Sequence, residues 1–253
     1  MAVGGSTTLI AACDFHNHSC LSPCGSLEMS PALIARLARR RGIDLIALTD
    51  HNSALNVPAF AECVRREGLS ALFGMEACCA EEVHVLCLFS EVDAALDFGS
   101  FLASHLPAYP YDSESFGNQA VMDAGENVLE LPTMYFNAAL DLGFDELCAR
   151  AADRGALVVP AHIDRPMFGA LAQLGFLPDG PFAAVEALRP LPLGAARDYT
   201  VIRGSDAHYP EHVACRPFGL ELAPGWRKAD GTVDLRYVAE ALAAGRVSLS
   251  GPA

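Results

Sequence analysis

The stretch DFHNHSCLSPCG, residues 14–25, decides how this sequence is interpreted, because it holds two histidines, two cysteines and an aspartate in twelve residues. This composition fits a metal site, a disulfide-linked segment or the lipid-attachment end of a signal peptide. The chain has nine cysteines, an odd number, and several lie in apolar runs, which favours reduced, buried thiols in a cytoplasmic protein. Residues 1–9 contain no Lys or Arg, and the apolar run before Asp14 is too short for a signal peptide.

Length and charge limit the classes of function. A chain of 253 residues is typical of one α/β barrel, and we expect residues 1–253 to form a single domain. The 17 Lys and Arg against 31 Asp and Glu give a net charge of -14, which predicts no long nucleic acid partner. A small anionic phosphorylated substrate remains compatible, because bound cations can reverse the potential inside a pocket. No apolar run approaches the roughly 20 residues of a membrane span, so no membrane partner is expected; the oligomeric state is not predicted.

Strand-compatible runs alternate with helical patterns, which predicts an α/β barrel or a distorted version of one. The first strand is expected over residues 8–15, and Ser30 and Pro31 should begin a helix that ends at Gly42. A second helix is expected near Val57 to Gly68. The further strand-like runs are DLIALTD, SALFGME, EVHVLCLF, ALVVPAHID, FAAVEAL and YTVIRGSDAH. Residues 107–132 are predicted to be a long inserted loop, either a substrate-facing segment with Asn118 and Gln119 as polar contacts or a plain surface insertion.

Residues of metal-binding type fall where the predicted strands begin or end. They are His16, His18, Asp50, His51, Glu76, His84, His162, Asp206 and His208. The C-terminal strand ends of a parallel α/β barrel converge on one face, where active sites are built. Residues i and i+2 of a strand point the same way, so His16 and His18 can bind one cation, as can Asp206 and His208, whereas Arg203 should face away. Imidazole with carboxylate ligands predicts Zn, Mn or Fe.

Five motifs together resemble those of the PHP family, the polymerase and histidinol phosphatase domain of metal-dependent phosphoesterases. They are DFHNHS, LTDHN, GMEACCAEEVHVLCLF, PAHIDRP and GSDAHY. The resemblance implies a distorted (β/α)7 TIM-like barrel with two to three divalent metal ions. It places His16, His18, Glu76 and Asp206 at the first metal, Glu76, His84 and His162 at the second, and Cys24, His51 and His208 at the third. Cys24 departs from the family, in which His or Asp is usual, so it is either a ligand or a buried thiol beside the site.

These residues predict a phosphoesterase that hydrolyses a small phosphomonoester or nucleotide-like phosphate with metal-activated hydroxide. Arg165 is expected to hold the phosphate, and His208 to donate a proton to the leaving oxygen. Asp50 is expected to orient a neighbouring ligand or, as a less favoured role, to accept a proton. Three alternatives stay open. One is a catalytically silent PHP-like module that binds metal or a partner, and another is an amidohydrolase-type C-N hydrolase, in which a metal-bridging lysine is usual where Glu76 stands. The third is a purely structural barrel, which predicts no bound metal.

Overall fold

The structure, a computed structural model, describes residues 8–109 and 111–249. The strands in these residues are β1 (Leu9–Asp14), β2 (Leu45–Leu48), β3 (Ser70–Cys78), β4 (His84–Phe89), β5 (Val121–Met122), β6 (Val128–Glu130), β7 (Leu157–Pro160), β8 (Val185–Glu186), β9 (Val201–Ile202), β10 (Phe218–Leu222) and β11 (Val247–Ser248). The α-helices are α1 (Pro31–Arg40), α2 (Val57–Arg66), α3 (Val92–Ala103), α4 (Ser113–Phe116), α5 (Phe144–Asp153), α6 (Ala170–Gln173) and α7 (Leu235–Ala243). Mixed helices and strands confirm the predicted α/β class.

A curled seven-stranded sheet, ordered β11-β10-β1-β2-β3-β4-β7, forms the centre of the fold. β1, β2 and β3 are parallel neighbours, whereas β4, β7, β10 and β11 pair antiparallel. Short bridges continue the curl beyond the sheet, joining Val158 to Phe182 and Asn17 to Ala207. The parallel pair β8 and β9 lies between these two bridges along the chain.

The antiparallel hairpin of β3 and β4 departs from regular strand–helix alternation. Cys78 at the end of β3 lies opposite His84 at the start of β4, and only residues 79–83 connect them. A connection this short leaves no room for a helix, so the second strand must return antiparallel. As a result, His84 begins its strand at the same edge of the sheet at which β3 ends.

The helices begin where their N-terminal residues predict. Ser30 accepts a hydrogen bond from the Leu33 backbone N–H at 3.0 Å, and Pro31 occupies the first turn of α1. Arg41 is the C-terminal cap, followed by Gly42 at φ +73°. The start of α2 at Val57 likewise agrees with the sequence pattern.

Apolar side chains fill both faces of the sheet. Alternate residues of each strand point to opposite faces, so Met75 contacts the core under α1, α2 and α3, while Leu72 faces the interior of the curl with Phe15 and Phe218. Glu76 has the parity of Leu72 and therefore points into the interior. Seven of the nine cysteines are buried, and all nine are free thiols.

Residues 107–132 are not a structureless loop. Their described part contains α4 and the hairpin of β5 and β6. The segment is anchored to the barrel because the Ala120 N–H donates to the Cys20 carbonyl at 3.0 Å. Among the described helices, none is long and apolar enough to cross a bilayer.

Candidate metal centre

The predicted ligands converge at the edge of the sheet where β1, β2 and β3 end. Glu76 lies near the end of β3, and His84 begins the antiparallel β4, so both occupy this edge. The bridge between Asn17 and Ala207 brings the segment after β9 against the end of β1. The residues gathered here are His16, His18, Cys24, His51, Glu76, His84, His162, Asp206 and His208.

The Glu76 carboxylate is the centre of this cluster. It is 1% exposed, so an ionised carboxylate here must be compensated by nearby polar or charged groups. Five imidazoles surround it. Oε1 lies 2.8 Å from His84 Nδ1, 2.9 Å from His162 Nε2 and 3.2 Å from His16 Nε2, and Oε2 lies 3.1 Å from His51 Nδ1 and 3.3 Å from His18 Nε2.

Several of these buried atoms lack a hydrogen bond although other polar atoms lie close. Glu76 Oε2, His51 Nδ1, His162 Nδ1 and Asp206 Oδ1 have no hydrogen-bond partner within the described residues. Glu76 Oε2 and His51 Nδ1 are 3.1 Å apart, yet their orientation is not that of a hydrogen bond. Buried polar atoms are almost always paired, so lone pairs that face one another fit a site for cations.

Three groups of side chains have their ligand atoms within 4.8 Å of one another. The first contains the four residues predicted for the first metal, His16, His18, Glu76 and Asp206. The other two differ from the predicted division, because they combine His51 with Glu76 and His84, and His18 with His51 and His208. Cys24 lies beside the last group with its Sγ 3.3 Å from His51 Nε2. The nitrogen and carboxylate donors suit Zn, Mn or Fe.

Backbone strain also concentrates here. His162 has φ +29° and Asp206 has φ +48°, values that residues other than glycine rarely adopt. Such conformations persist only where surrounding contacts impose them, and they occur often at functional sites. The left-handed turns direct both side chains back toward Glu76 and His16.

Asp50 lies behind the cluster and reaches it through a serine. Its carboxylate accepts hydrogen bonds from the Ser19 N–H at 2.7 Å and the Ser22 hydroxyl at 2.7 Å. Because the Ser22 proton goes to Asp50, the Ser22 oxygen accepts from His18 Nδ1 at 3.0 Å. With a proton held on Nδ1, Nε2 is the nitrogen of His18 that faces Glu76, and it can bind a cation once it loses its own proton. This chain of contacts favours the orienting role for Asp50 over direct proton transfer.

Glu186 contacts His16 directly and holds the orientation of its ring. The sequence pattern did not predict this role for Glu186. This fully buried residue of β8 places Oε2 3.0 Å and Oε1 3.2 Å from His16 Nδ1. Gly204 permits this approach, since a Cβ there would meet Glu186 Oε2 at 2.5 Å and His16 Cβ at 2.7 Å. The feature of the sequence that points to Glu186 is its position as an acidic residue inside the apolar run FAAVEAL.

Charge on the imidazoles is divided unequally. Burial opposes the charged form of His16, but the carboxylates of Glu186, Glu76 and Asp206 outweigh it and raise the pKa of His16 well above its usual range. Burial also opposes charge on His18, yet the carboxylates of Asp206 and Glu76, each 3.3 Å from its Nε2, raise its pKa to about 8. Both rings therefore carry an extra proton and a positive charge at neutral pH, and a cation that binds them must displace that proton.

The pKa values of the outer imidazoles, those of His51 and His208, are lowered instead. Burial, reinforced by the charge of His18, lowers the pKa of His51 to about 3 and that of His208 to about 4. Both rings are neutral at physiological pH, so each has a nitrogen lone pair available.

A cavity of about 390 Å³ opens over the cluster. Arg165 lines it and donates to Asp206 Oδ2 at 3.0 Å, and Tyr209 and His212 line it beside His208. The residues that line this cavity include neither His105, which pairs with Asp141 elsewhere, nor Arg203. Arg203 donates to the Pro217 carbonyl, as its strand parity predicts.

The prediction that Gln119 contacts a ligand is wrong, whereas that for Asn118 stays a prediction. Gln119 is 1% exposed and is used internally, since its Nε2 donates to the Met134 carbonyl at 2.6 Å and its Oε1 accepts from the Phe136 N–H at 2.9 Å. Asn118 is exposed and lines neither the metal-site cavity nor the aromatic cavity next to it.

Comparison with known proteins identifies related sequences and folds. The sequence profile described as "PHP domain" matches residues 14–149. The DNA polymerase III PolC-type of Streptococcus suis (strain 98HAH33) is 31% identical over 111 residues, which is 44% of this chain and 7% of that protein.

Solved structures share the fold at low identity. The lesion-specific endonuclease PfuEndoQ from Pyrococcus furiosus aligns with a TM-score of 0.67 and 16% identity, over 95% of this chain and 58% of that chain. A two-domain protein from Bacteroides vulgatus, described as containing a predicted PHP-like metal-dependent phosphoesterase, aligns with a TM-score of 0.53 and 19% identity, over 95% and 64%.

The expectation that excluded long nucleic acid and left only a small phosphorylated substrate is wrong. A structure of Endonuclease Q in complex with a 27-mer duplex aligns with 95% of this chain at a TM-score of 0.66 and 17% identity. That protein, which shares this fold, binds a duplex with an abasic lesion at its active site. The net charge of -14 is a property of the whole surface, and it does not determine the potential at one site.

The profile match covers more than half of the sequence, and it includes the strands and loops that carry His16, His18, His51, Glu76 and His84. This chain belongs to the PHP domain family.

Proposed function

We propose that the chain is a metal-dependent phosphoester hydrolase that acts on nucleic-acid phosphoesters. The observation that carries the proposal is the buried Glu76 carboxylate with five imidazoles within 3.3 Å, beside an open cavity that Arg165 lines. Membership of the PHP family supports the reaction class. The fold shared with a lesion-specific endonuclease supports the substrate class.

Two to three divalent cations fit this donor set. When bound, such cations neutralise phosphoryl oxygens and acidify a water molecule. We assign the ligands to three positions, with each imidazole at one position and the Glu76 carboxylate at two. The ligands would be His16, His18, Glu76 and Asp206 at the first position, Glu76, His84 and His162 at the second, and Cys24, His51 and His208 at the third.

Arg165 is the residue that we propose to bind the phosphoryl group. Its guanidinium is 35% exposed and uses Nη1 for Asp206, which leaves further N–H donors toward the cavity. A guanidinium can bind two phosphoryl oxygens at once, so it would orient the substrate as well as attract it.

His208 is proposed as a metal ligand rather than as a proton donor. Its pKa of about 4 means that the ring is neutral at physiological pH and has no extra proton to give. Its Nδ1 lies 3.0 Å from the Asp206 carbonyl oxygen, so Nδ1 carries the proton and Nε2 keeps a free lone pair.

The test combines metal analysis with hydrolysis assays. The purified chain is analysed for bound metals and assayed with Mn or Zn on a generic phosphomonoester, on a single-stranded oligonucleotide and on a duplex with an abasic lesion. Glu76→Gln and His162→Ala should lose metal and at least about 100-fold in kcat/KM, because they remove central ligands. His105→Ala is the matched control, since His105 lies away from the site.

Each outcome has a definite meaning. Hydrolysis of a nucleic acid that needs metal and Glu76 supports the proposal. Bound metal without hydrolysis of any of these phosphoesters would make the chain a binding module, and metal-free, inactive protein would overturn the proposal altogether.

A further inference from the structure

A second cavity, of about 560 Å³, lies next to the metal centre and is lined by aromatic side chains. Four of them are Tyr109, Phe116, Tyr135 and Phe168. Phe168 and Asn137 line both this cavity and the one over the metal centre. The two cavities are therefore adjacent, and one ligand can occupy both.

Two of these aromatic side chains are unusually open to solvent. Tyr109 is 63% exposed and Phe116 is 48% exposed, although burial of such rings is favourable. The ring of Phe116 lies 4.8 Å from that of Tyr135, which in turn stacks on Tyr111 at 5.8 Å. Clustered apolar exposure beside a polar site is typical of a surface that binds a ligand.

Phe168 connects the aromatic cavity to the metal centre. Its ring stacks on His84 with centroids 4.3 Å apart and an interplanar angle of 16°. Its backbone has φ +63°, a strained conformation for a bulky residue, and its carbonyl accepts a hydrogen bond from the His84 N–H at 3.0 Å. The strained turn thus holds an aromatic wall between the two cavities.

Polar groups at the cavity are free to recognise a ligand. The side-chain amide of Asn137 makes no hydrogen bond with any described residue, and the Glu82 carboxylate lines the same cavity. An amide and a carboxylate offer the donors and acceptors that the edge of a nucleobase requires, and aromatic rings stack on its faces.

We propose that the aromatic cavity is a nucleobase-stacking subsite. It would hold the base of the nucleotide whose phosphate lies at the metal centre, and in that sense it rests on the proposed function. The segment of residues 107–132 would then contribute to specificity through Tyr109 and Phe116 rather than through Asn118 and Gln119. The base can come from a free nucleotide or from an unpaired nucleotide of a strand, because both present the same face and edge.

The test measures binding without requiring turnover. Calorimetric titration of the metal-loaded chain compares the 5′-phosphonate analogue of a nucleoside with that of base-free ribose, and a short single strand of DNA with a single mononucleotide. The nucleoside analogue should bind on the order of tenfold more tightly than the ribose analogue. Phe116→Leu and Tyr135→Leu should each remove most of this difference, whereas Phe176→Leu, at a 61% exposed ring outside the cavity, should preserve it.

Equal binding of the nucleoside and ribose analogues, or aromatic variants that keep the tenfold difference, would overturn the subsite. The two proposals fail separately. If binding depends on the base but no phosphoester is hydrolysed, the proposed hydrolase activity is overturned and the nucleobase subsite is supported. If phosphoesters are hydrolysed but binding does not depend on the base, the subsite is overturned and the hydrolase activity is supported. Tighter binding of the single strand than of the mononucleotide identifies the strand as the source of the base.

Discussion

The arrangement of this site depends on single carboxylates that are buried among imidazoles. Glu76 contacts five histidines, and Glu186 contacts the far side of one of them, His16. Burial of an ionised carboxylate costs free energy unless nearby groups compensate its charge. Burial by itself raises the pKa of Glu76. The neighbouring His84 and His16 lower this pKa by more, so it lies well below its usual range. The cluster therefore holds an ionised carboxylate next to the protonated rings of His16 and His18 and the neutral ring of His51.

Glu186 should contribute to metal affinity although it is not a ligand. Glu186→Gln removes the charge that holds the proton on His16 Nδ1, and loss of such a partner typically costs 10- to 100-fold in metal affinity, so we expect a decrease of about that size. Chelator competition measures the dissociation constant. Glu186→Asp should rescue part of the loss, and Glu240→Gln, on the exposed face of α7, is the control. An unchanged affinity for Glu186→Gln would contradict the orienting role.

Metal uptake should release protons at neutral pH. The raised pKa values of His16 and His18 mean that both rings are protonated at about pH 7, and a ring must lose its extra proton to bind a cation. Fewer protons should be released as the pH rises past about 8, the pKa of His18, and affinity should increase over the same interval. Calorimetry in two buffers that differ in ionisation enthalpy counts the protons. A heat that is independent of buffer at about pH 7 would contradict this prediction.

At the scale of elements, the hairpin of β3 and β4 is what brings Glu76 and His84 together. The two strands pair in register from Phe73 opposite Phe89 to Cys78 opposite His84. Gly74 lies in the middle of this pairing, where a Cβ would come within 2.0 Å of the Cys87 carbonyl oxygen. The close approach of the two backbones therefore requires glycine two residues before Glu76.

Gly74→Ala should destabilise the protein and weaken metal binding together. The strands must separate locally to admit the methyl group, and overpacking of this kind costs about 1–3 kcal/mol. Urea unfolding and metal titration measure the two effects. Gly125→Ala is the control, because only the side chains of Asn127 and Asp123 come near its Cβ, and it should change stability by less than about 0.5 kcal/mol. A Gly74→Ala variant of full stability would show that the hairpin tolerates separation.

At the scale of the whole molecule, the metal centre joins segments that are far apart in sequence. His16 and Glu186 are separated by 170 residues, and His162 and Glu76 by 86. Only the folded chain assembles these donors, so a cation that binds them stabilises the native state over the unfolded state.

Removal of metal should lower the unfolding temperature of the entire chain. At a free metal concentration about 100 times the dissociation constant, binding contributes about 2.7 kcal/mol to stability. Thermal unfolding with added Zn or Mn and with chelator measures the difference. Glu76→Gln should abolish most of it, and equal unfolding temperatures for wild type with and without metal would contradict linkage between folding and binding.

Much of the site could be predicted because strand ends and residue types are local properties. The i, i+2 spacing of His16 and His18 and the position of Glu76 in an apolar strand point to candidate ligands without knowledge of the fold. The partner of His16 could not be identified in this way, since Glu186 is paired with it only through the curl of the sheet. Gln119 was misassigned for a related reason, because a polar side chain in a loop can satisfy the backbone of its own loop instead of a ligand.

The sequence by itself determined the α/β class, the helix starts at Pro31 and Val57, and the set of residues able to bind metal, because capping, strand periodicity and donor chemistry depend on neighbouring residues. Tertiary structure alone decided how those residues divide into groups, which carboxylate orients which imidazole, and that an aromatic cavity adjoins the centre. The pairing of β4 with β7 depends on packing across the sheet, and the turns at His162 and Asp206 bring their side chains to Glu76 and His16. Contacts between residues distant in the chain depend on that packing, so local patterns do not determine them.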